Sequence, residues 1–305
     1  MNRRAFIKSI QAGTGLMLLP DVSALWKTGD MFFDISLAEW SLRVPLRNGT
    51  MTNLDFPEVA RKKYGIQAVE YVSGFFNDKE QDKSYLSELK QRATDQDVEN
   101  VLIMVDLWKY KTASPDKKER QQAIDMHKPW IDAAHYLGCH AIRINGNGYE
   151  GLDRQGAANA FADTLNQLAD YGQGSDISII VENHGGLSSD GKWLAGVMQQ
   201  VGRDSVGTLP DFGNLSISDD ERYDRYLLIK ELMPYAKGVS AKTFDFNRKG
   251  QETSMDVARL MRIVKEAGFE GYVGIEFGGE LEKISNKDGV AKTKKLLEKV
   301  GTQLS

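Results

Sequence analysis

The sequence predicts an α/β fold, a single-domain (β/α)8 TIM barrel, and three observations carry that expectation. Eight short apolar runs alternate with eight segments whose apolar residues recur at helical spacing, the pattern of a parallel sheet with right-handed crossovers. No linker rich in proline or serine interrupts the alternation, and 305 residues suffice for one closed barrel. The later runs end abruptly in charged residues with glycine close behind, as strands buried on both faces do where they leave the core. An open sheet that binds a dinucleotide would carry a glycine-rich turn after its first strand, and that turn here reads LAEWSLRVP.

Taken in order, residues 31–40 form the first strand, and a polar loop leads to a helix over 55–65 with Asp55 at its start, Pro57 in its first turn and Gly65 at its end. Residues 66–74 are the second strand, with Glu70 near its exit. A helix over 84–95 precedes the third strand, 98–106, which ends at Asp106 with Trp108 just beyond. The longest helix, 115–138, carries Ile124, Trp130, Ile131, Ala134 and Leu137 on one face. Strand four, 140–148, holds Arg143 and Asn145 near its end and is followed by a helix over 156–172. Strand five, 177–182, ends in Glu182, with His184, Gly185 and Gly186 behind it; a helix over 191–202 follows. Strand six, 206–211, ends in Asp211, and a helix around 219–233 leads to strand seven within 236–246, where Lys242 stands at the matching place. A helix over 254–268 precedes strand eight, 272–276, which ends in Glu276, and a helix over 288–301 closes the chain.

Residues 1–24 read as a twin-arginine export signal: Arg3 and Arg4, then Phe6 and Lys8, a mildly apolar stretch to Pro20, and small residues at 22–24 for cleavage. The barrel is then residues 25–305, and the expected location is periplasmic or otherwise exported. An amphipathic first helix is the competing reading; Gly13 and Gly15 weaken it. No stretch reaches bilayer length, so no membrane span is expected in the mature chain. With 39 basic against 43 acidic residues and no basic block, nucleic acid is not the expected partner. Cys139, the single cysteine, excludes an internal disulfide and a thiolate metal site, and reads as a small buried residue where a strand begins. Homo-oligomerisation is left open.

In a barrel the carboxyl ends of all strands meet on one face. Neighbouring strands lie about 4.8 Å apart, so Glu182, Asp211, Lys242 and Glu276 are expected around one mouth. Two carboxylates about 5 Å apart repel by roughly 3 kcal/mol at an effective dielectric near 20. A protonated carboxyl, the Lys242 ammonium or a divalent metal can answer that charge. Glu182, Asp211 and Glu276 form an all-oxygen metal set suited to manganese or magnesium rather than zinc. Of four histidines only His184 belongs to this face, as a substrate contact, a packing residue or a ligand. Arg143 fits a hydroxyl contact or an ion pair inside the barrel. Trp40, Trp108 and Phe244 fit stacking on the flat face of a ligand or plain core.

The pattern resembles the xylose-isomerase-like barrel family of sugar isomerases and epimerases over nearly the whole chain after the signal. In that family a Glu ends strand five, an Asp strand six, a His strand seven and a Glu strand eight, and the four bind a divalent cation. Glu182, Asp211 and Glu276 match. Two positions depart: the family's His-x-Lys reads Ser240-Ala241-Lys242, and its Asp-x-x-His reads Asp211-Phe212-Gly213-Asn214.

The resemblance implies an enzyme that abstracts a proton beside a sugar carbonyl and passes through an enediolate, with Glu182 and Glu276 as acid/base pair. Lys242 then acts as an electrostatic clamp on the enediolate oxygen, while Glu70, Arg143, Asn145 and His184 bind hydroxyls. The expected partner is a small sugar or glycoside, and the expected cofactor a divalent metal, with Ser240 standing where the family's histidine ligand would be. The runner-up is a lyase or dehydratase of keto-sugars or keto-glycosides, followed by a non-catalytic carbohydrate-binding barrel. Apurinic-site endonucleases share the barrel, but their metal cluster needs several histidines on this face, which ranks that reading last.

Overall fold

A computed structural model describes residues 31–305 apart from Leu281. The expected export signal lies outside the described residues. Eight parallel strands, β1 (Asp34–Ala38), β2 (Ala68–Val72), β3 (Glu99–Met104), β4 (Ala141–Ile144), β5 (Ser178–Glu182), β6 (Val206–Leu209), β7 (Val239–Thr243) and β8 (Tyr272–Phe277), run in the order β6-β5-β4-β3-β2-β1-β8-β7. Two isolated parallel bridges, Thr208 with Ala236 and Asp211 with Ser240, join β6 to β7 and close the ring. The Ser240 backbone makes the second bridge, donating to the Pro210 carbonyl and accepting from the Phe212 N–H. Closure therefore sets Asp211 and Ser240 side by side.

A helix follows each strand: α1 (Phe56–Tyr64), α2 (Lys83–Asp95), α3 (Lys117–Leu137), α4 (Arg154–Gly172), α5 (Gly191–Val201), α6 (Arg225–Leu232), α7 (Val257–Glu266) and α8 (Asn286–Leu304). Their starts are chemically marked. Asp82, Asp116, Asp153, Asp190, Asp224 and Asp256 each accept a backbone N–H of the first turn, and Ser285 does so for α8. Each such cap is worth about 1 kcal/mol. Gly65 and Gly138 end α1 and α3 in the left-handed conformation, at φ 63° and 87°, where other residues are strained.

The sequence expectations differ from the structure mainly at ends. The first strand stops at Ala38, and Glu39–Leu42 turns into a 3-10 helix. The helix expected over 219–233 starts at Arg225, because Asp224 caps it and the preceding segment folds back through a Ser216–Arg222 bridge.

Two apolar layers hold the barrel. A small interior cluster includes Ala38, Ala68, Val72, Leu102, Met104, Ile180 and Leu209; the larger one fills the space between strands and helices. Cys139 is buried just before β4, as expected. The interior is not wholly apolar. Glu70 lies inside it with Ser36 donating to Oε1 at 2.5 Å. Gly274 makes room: a Cβ there would fall 2.6 Å from the Glu70 carboxylate oxygens.

Candidate functional site

Glu182 is the last residue of β5, Asp211 lies two residues past β6, Lys242 is in β7 and Glu276 in β8. In β7 and β8, Lys242 and Glu276 are register partners, which brings Nζ to 2.6 Å from Oε1 of Glu276. Carboxylate oxygens of Glu182, Asp211 and Glu276 all lie within 4.8 Å of one another, and the three side chains are buried. The expected convergence of these four residues is therefore what the barrel displays.

Each acidic group is held differently. Asp211 Oδ1 accepts the backbone N–H groups of Gly213 and Asn214 at 2.7 and 2.8 Å, and Oδ2 accepts the Ser240 hydroxyl at 2.8 Å. The Asn183 amide ties the Asp211 backbone to β5, accepting its N–H and donating to its carbonyl. Asn214 Nδ2 donates to Glu182 Oε1 at 2.8 Å. Arg143 Nε stands 2.9 Å from Glu182 Oε2 as an ion pair, but its N–H is not aligned for a hydrogen bond, so that oxygen accepts none. Ser240 Oγ also approaches Glu276 Oε2 at 3.1 Å. A hydroxyl has one proton, so Ser240 can serve Asp211 or Glu276 but not both at once. The Lys242 side chain passes close to Gly213, where an added Cβ would meet its Cδ at 2.8 Å.

The charges do not balance within the cluster. Burial, only partly offset by Arg143, raises Glu182 to about 7, and burial offset by Lys242 raises Asp211 to about 7. Glu276 goes the other way. Burial alone would raise it, but the charge and hydrogen bond of Lys242 outweigh burial and hold it below the usual carboxylate value. Lys242 and Arg143 are both raised, because neighbouring carboxylates overcome the burial that would lower them.

The remaining predicted residues lie at different depths around this cluster. Arg143 is the ion pair that was one of its two readings: besides Glu182 it donates to Asp106 Oδ1 at 2.7 Å. Asn145 donates to the same oxygen at 3.0 Å, leaving its buried Oδ1 with no hydrogen bond. His184 lies beside the cluster; burial, then Arg143 and Lys242, lower its pKa. Glu70 sits deeper, with Oε2 lacking a hydrogen-bond partner and its pKa raised by burial to about 7. Trp108 stands at the rim against His184. Trp40 is half-buried between Phe75 and Arg47, so packing occupies much of its ring. Phe244 packs beside Gly213 and Gly278.

Sequence reasoning assigned no role to Asp106, Asn183 or Asn214. Asp106 was visible as a strand end. Asn214 was visible only as a departure from the family's histidine, and Asn183 shows once β5 and β6 are adjacent.

The donor set fits a divalent cation: three hard carboxylate ligands converge, one Glu182 oxygen accepts no hydrogen bond, and two of the three carboxyls are difficult to ionise without added positive charge.

Comparison with known proteins agrees with this architecture. The family model for the xylose isomerase-like TIM barrel matches residues 59–300. The chain belongs to that family. No curated protein sequence matches at a significant level. Among solved structures, the IOLI protein with a zinc atom has a TM-score of 0.68 and 15% identity, covering 89% of this chain and 99% of that one. A D-psicose 3-epimerase with D-tagatose from Clostridium cellulolyticum H10 has a TM-score of 0.61 and 12% identity, covering 88% and 98%. A xylose isomerase-like barrel protein from Mycobacterium smegmatis in complex with magnesium has a TM-score of 0.65 and 13% identity, covering 89% and 98%. At these identities the likeness is one of fold.

Proposed function

We propose that this chain is an isomerase or epimerase of a keto-sugar, with Glu182 and Glu276 as the groups that move the proton. The observation that carries this reading is the meeting of Glu182, Asp211 and Glu276 within 4.8 Å, with the Lys242 ammonium hydrogen-bonded among them. Glu276, kept ionised by Lys242, is the base that takes a proton from the carbon beside the carbonyl. Glu182, more easily protonated, returns one from the other side. Opposed pKa shifts in two neighbouring carboxyls are what such a division of labour requires.

Lys242 has three N–H donors and commits one to Glu276; the others are available to an oxygen that gains charge as the enediolate forms. The free Oδ1 of Asn145 accepts a substrate hydroxyl, and His184 binds another at the rim. Glu182, Asp211 and Glu276 would hold a divalent cation, manganese or magnesium by donor type, which polarises adjacent carbonyl and hydroxyl oxygens. The solved epimerases of like fold support the sugar class. The paired arginines and small-residue cleavage site support export, with the barrel as the mature domain from residue 25.

One observation favours a second reading. Ser240 replaces the expected histidine, which leaves the Lys242 ammonium, paired with both Glu276 and Asp211, as the group that stabilises negative charge on a departing oxygen. That arrangement suits a lyase or dehydratase. Incubation of the protein with keto-sugars and keto-glycosides in deuterium oxide, followed by NMR, separates the two. Exchange or inversion without fragments supports the epimerase, and a released aglycone or water supports the lyase. With neither exchange nor release, both readings fail.

A further inference from the structure

The rim of the mouth carries an aromatic surface that the proton chemistry does not use. Among the described residues the exposed large apolar side chains are Trp108, Tyr136, Tyr171 and Leu227, and Trp108 is the most open at 47%. Lysine ammoniums cover two of the others, Lys90 over Tyr136 and Lys128 over Tyr171, and Leu227 lies on helix α6. Trp108 alone of these follows a strand's carboxyl end. Among the described residues its aromatic neighbour is His184, with ring centroids 5.0 Å apart and planes at 48°.

The exposure is not that of a loose loop. Ser73 Oγ accepts the Asp106 N–H, and Tyr110 N–H donates to the Leu107 carbonyl. Asn147 Nδ2 donates to the Trp108 carbonyl at 3.0 Å, while Asn147 Oδ1 accepts from Thr112. Gly148, at φ 85°, lets the loop after β4 approach so closely that a Cβ would fall 2.5 Å from Lys111. The indole is thus presented to solvent by a backbone tied on both sides, where burying it against a ligand gains both apolar area and ring stacking.

The geometry also says which part of a ligand reaches it. A reacting carbon must lie within about 3.5 Å of the carboxylate that takes its proton. Glu182 and Glu276 sit buried in the barrel, whereas the indole stands exposed at the rim, where its ring contact is with His184, two residues past Glu182. The ring that lies on Trp108 is therefore the neighbour of the reacting one.

We infer that Trp108, edged by His184, is a binding subsite for a second ring, so that the substrate is a glycoside or disaccharide rather than a free monosaccharide. This rests on the proposed sugar chemistry and adds the substrate class. The shared requirement is a flat C–H or π face joined to the reacting sugar through its glycosidic oxygen. A second sugar and an aromatic aglycone both provide one.

The test is calorimetric titration of the full chain with methyl β-D-glucopyranoside, cellobiose and phenyl β-D-glucopyranoside, for wild type, Trp108→Phe and Trp108→Ala. The readout is the ratio of two-ring to one-ring affinity. Wild type is expected to favour at least one two-ring probe by about tenfold, the scale of one aromatic stacking contact. Trp108→Phe keeps most of that ratio, and Trp108→Ala brings it near one. Preference for cellobiose assigns the subsite to a second sugar, and preference for the phenyl glucoside to an aromatic aglycone. A wild-type ratio near one, or a Trp108→Ala ratio equal to wild type, overturns the inference and leaves the proposed function standing. If no probe binds wild type at millimolar concentration, the two-ring subsite is overturned, while the keto-sugar chemistry stands or falls on the deuterium exchange experiment.

Discussion

Lys242→Met removes the cation in contact with the acidic cluster while keeping the length and apolar stem of the side chain. In the native protein Nζ is 2.6 Å from Glu276 Oε1 and 3.9 Å from Asp211 Oδ2. At an effective dielectric near 20 those separations correspond to about 6 and 4 kcal/mol of gross attraction. Desolvating the ammonium offsets much of that sum, so breaking the pair is expected to destabilise by about 3–5 kcal/mol at pH 8. The sign of the pH dependence follows from Glu276. Its folded pKa lies below the ordinary value, so in wild type it adds stability above the unfolded pKa, and that stability is lost as pH falls through the folded value. Without Lys242, burial dominates and the Glu276 pKa rises, so the variant loses stability as pH climbs. The gap between the two proteins should be largest at pH 8 and fall to less than half by pH 5. Equilibrium urea unfolding with chelator, followed by circular dichroism, measures it. A gap below about 1 kcal/mol at pH 8, or one equal at both pH values, would refute the claim that Lys242 neutralises this cluster.

Three further outcomes follow from the same contacts. Ser240→His adds an imidazole between Asp211 and Glu276 and should tighten zinc and cobalt binding at least about tenfold relative to magnesium, read by calorimetry and by the visible spectrum of bound cobalt; unchanged selectivity would show that Ser240 does not face the ion. Asp106→Asn removes the carboxylate that holds both Arg143 and Asn145, and loss of these charge-assisted bonds should lower stability by about 2 kcal/mol; a thermal midpoint equal to wild type would contradict the linkage. Glu39 is buried, accepts from Asn53 and the Val72 N–H, and has its pKa raised by burial to about 8, so wild-type stability should decline as pH rises from about 4.5 through 8, with a flatter profile in Glu39→Gln measured by urea unfolding.

The strand ends were legible because a fully buried parallel strand leaves a sharp mark: the run ISIIV stops at Glu182, and YVGI at Glu276. Strand count then implies convergence, and the three carboxylates and Lys242 needed nothing more than closure to meet. The pairing inside the mouth was less legible. Arg143 reaches Glu182 and Asp106 across neighbouring strands, a choice set by side-chain reach that periodicity does not encode. Ser240 looked like a lost ligand in the sequence, whereas the Asp211–Ser240 bridge makes its hydroxyl a link between two acids. The segment before α6 misled for a local reason. Its charged residues suit an exposed helix, but Asp224 is a stronger start signal, and the residues ahead of it pair across a turn instead.

The account depends most on Glu182 and Glu276 acting on opposite sides of one sugar carbon. Hydrogen exchange at the carbon beside the carbonyl, followed by NMR for a keto-sugar in deuterium oxide, tests that directly in wild type, Glu182→Gln and Glu276→Gln. Wild type should exchange and invert, Glu276→Gln should slow exchange by about a hundredfold or more, and Glu182→Gln should lose inversion while keeping more of the exchange. Exchange that persists at the wild-type rate in both variants would contradict it.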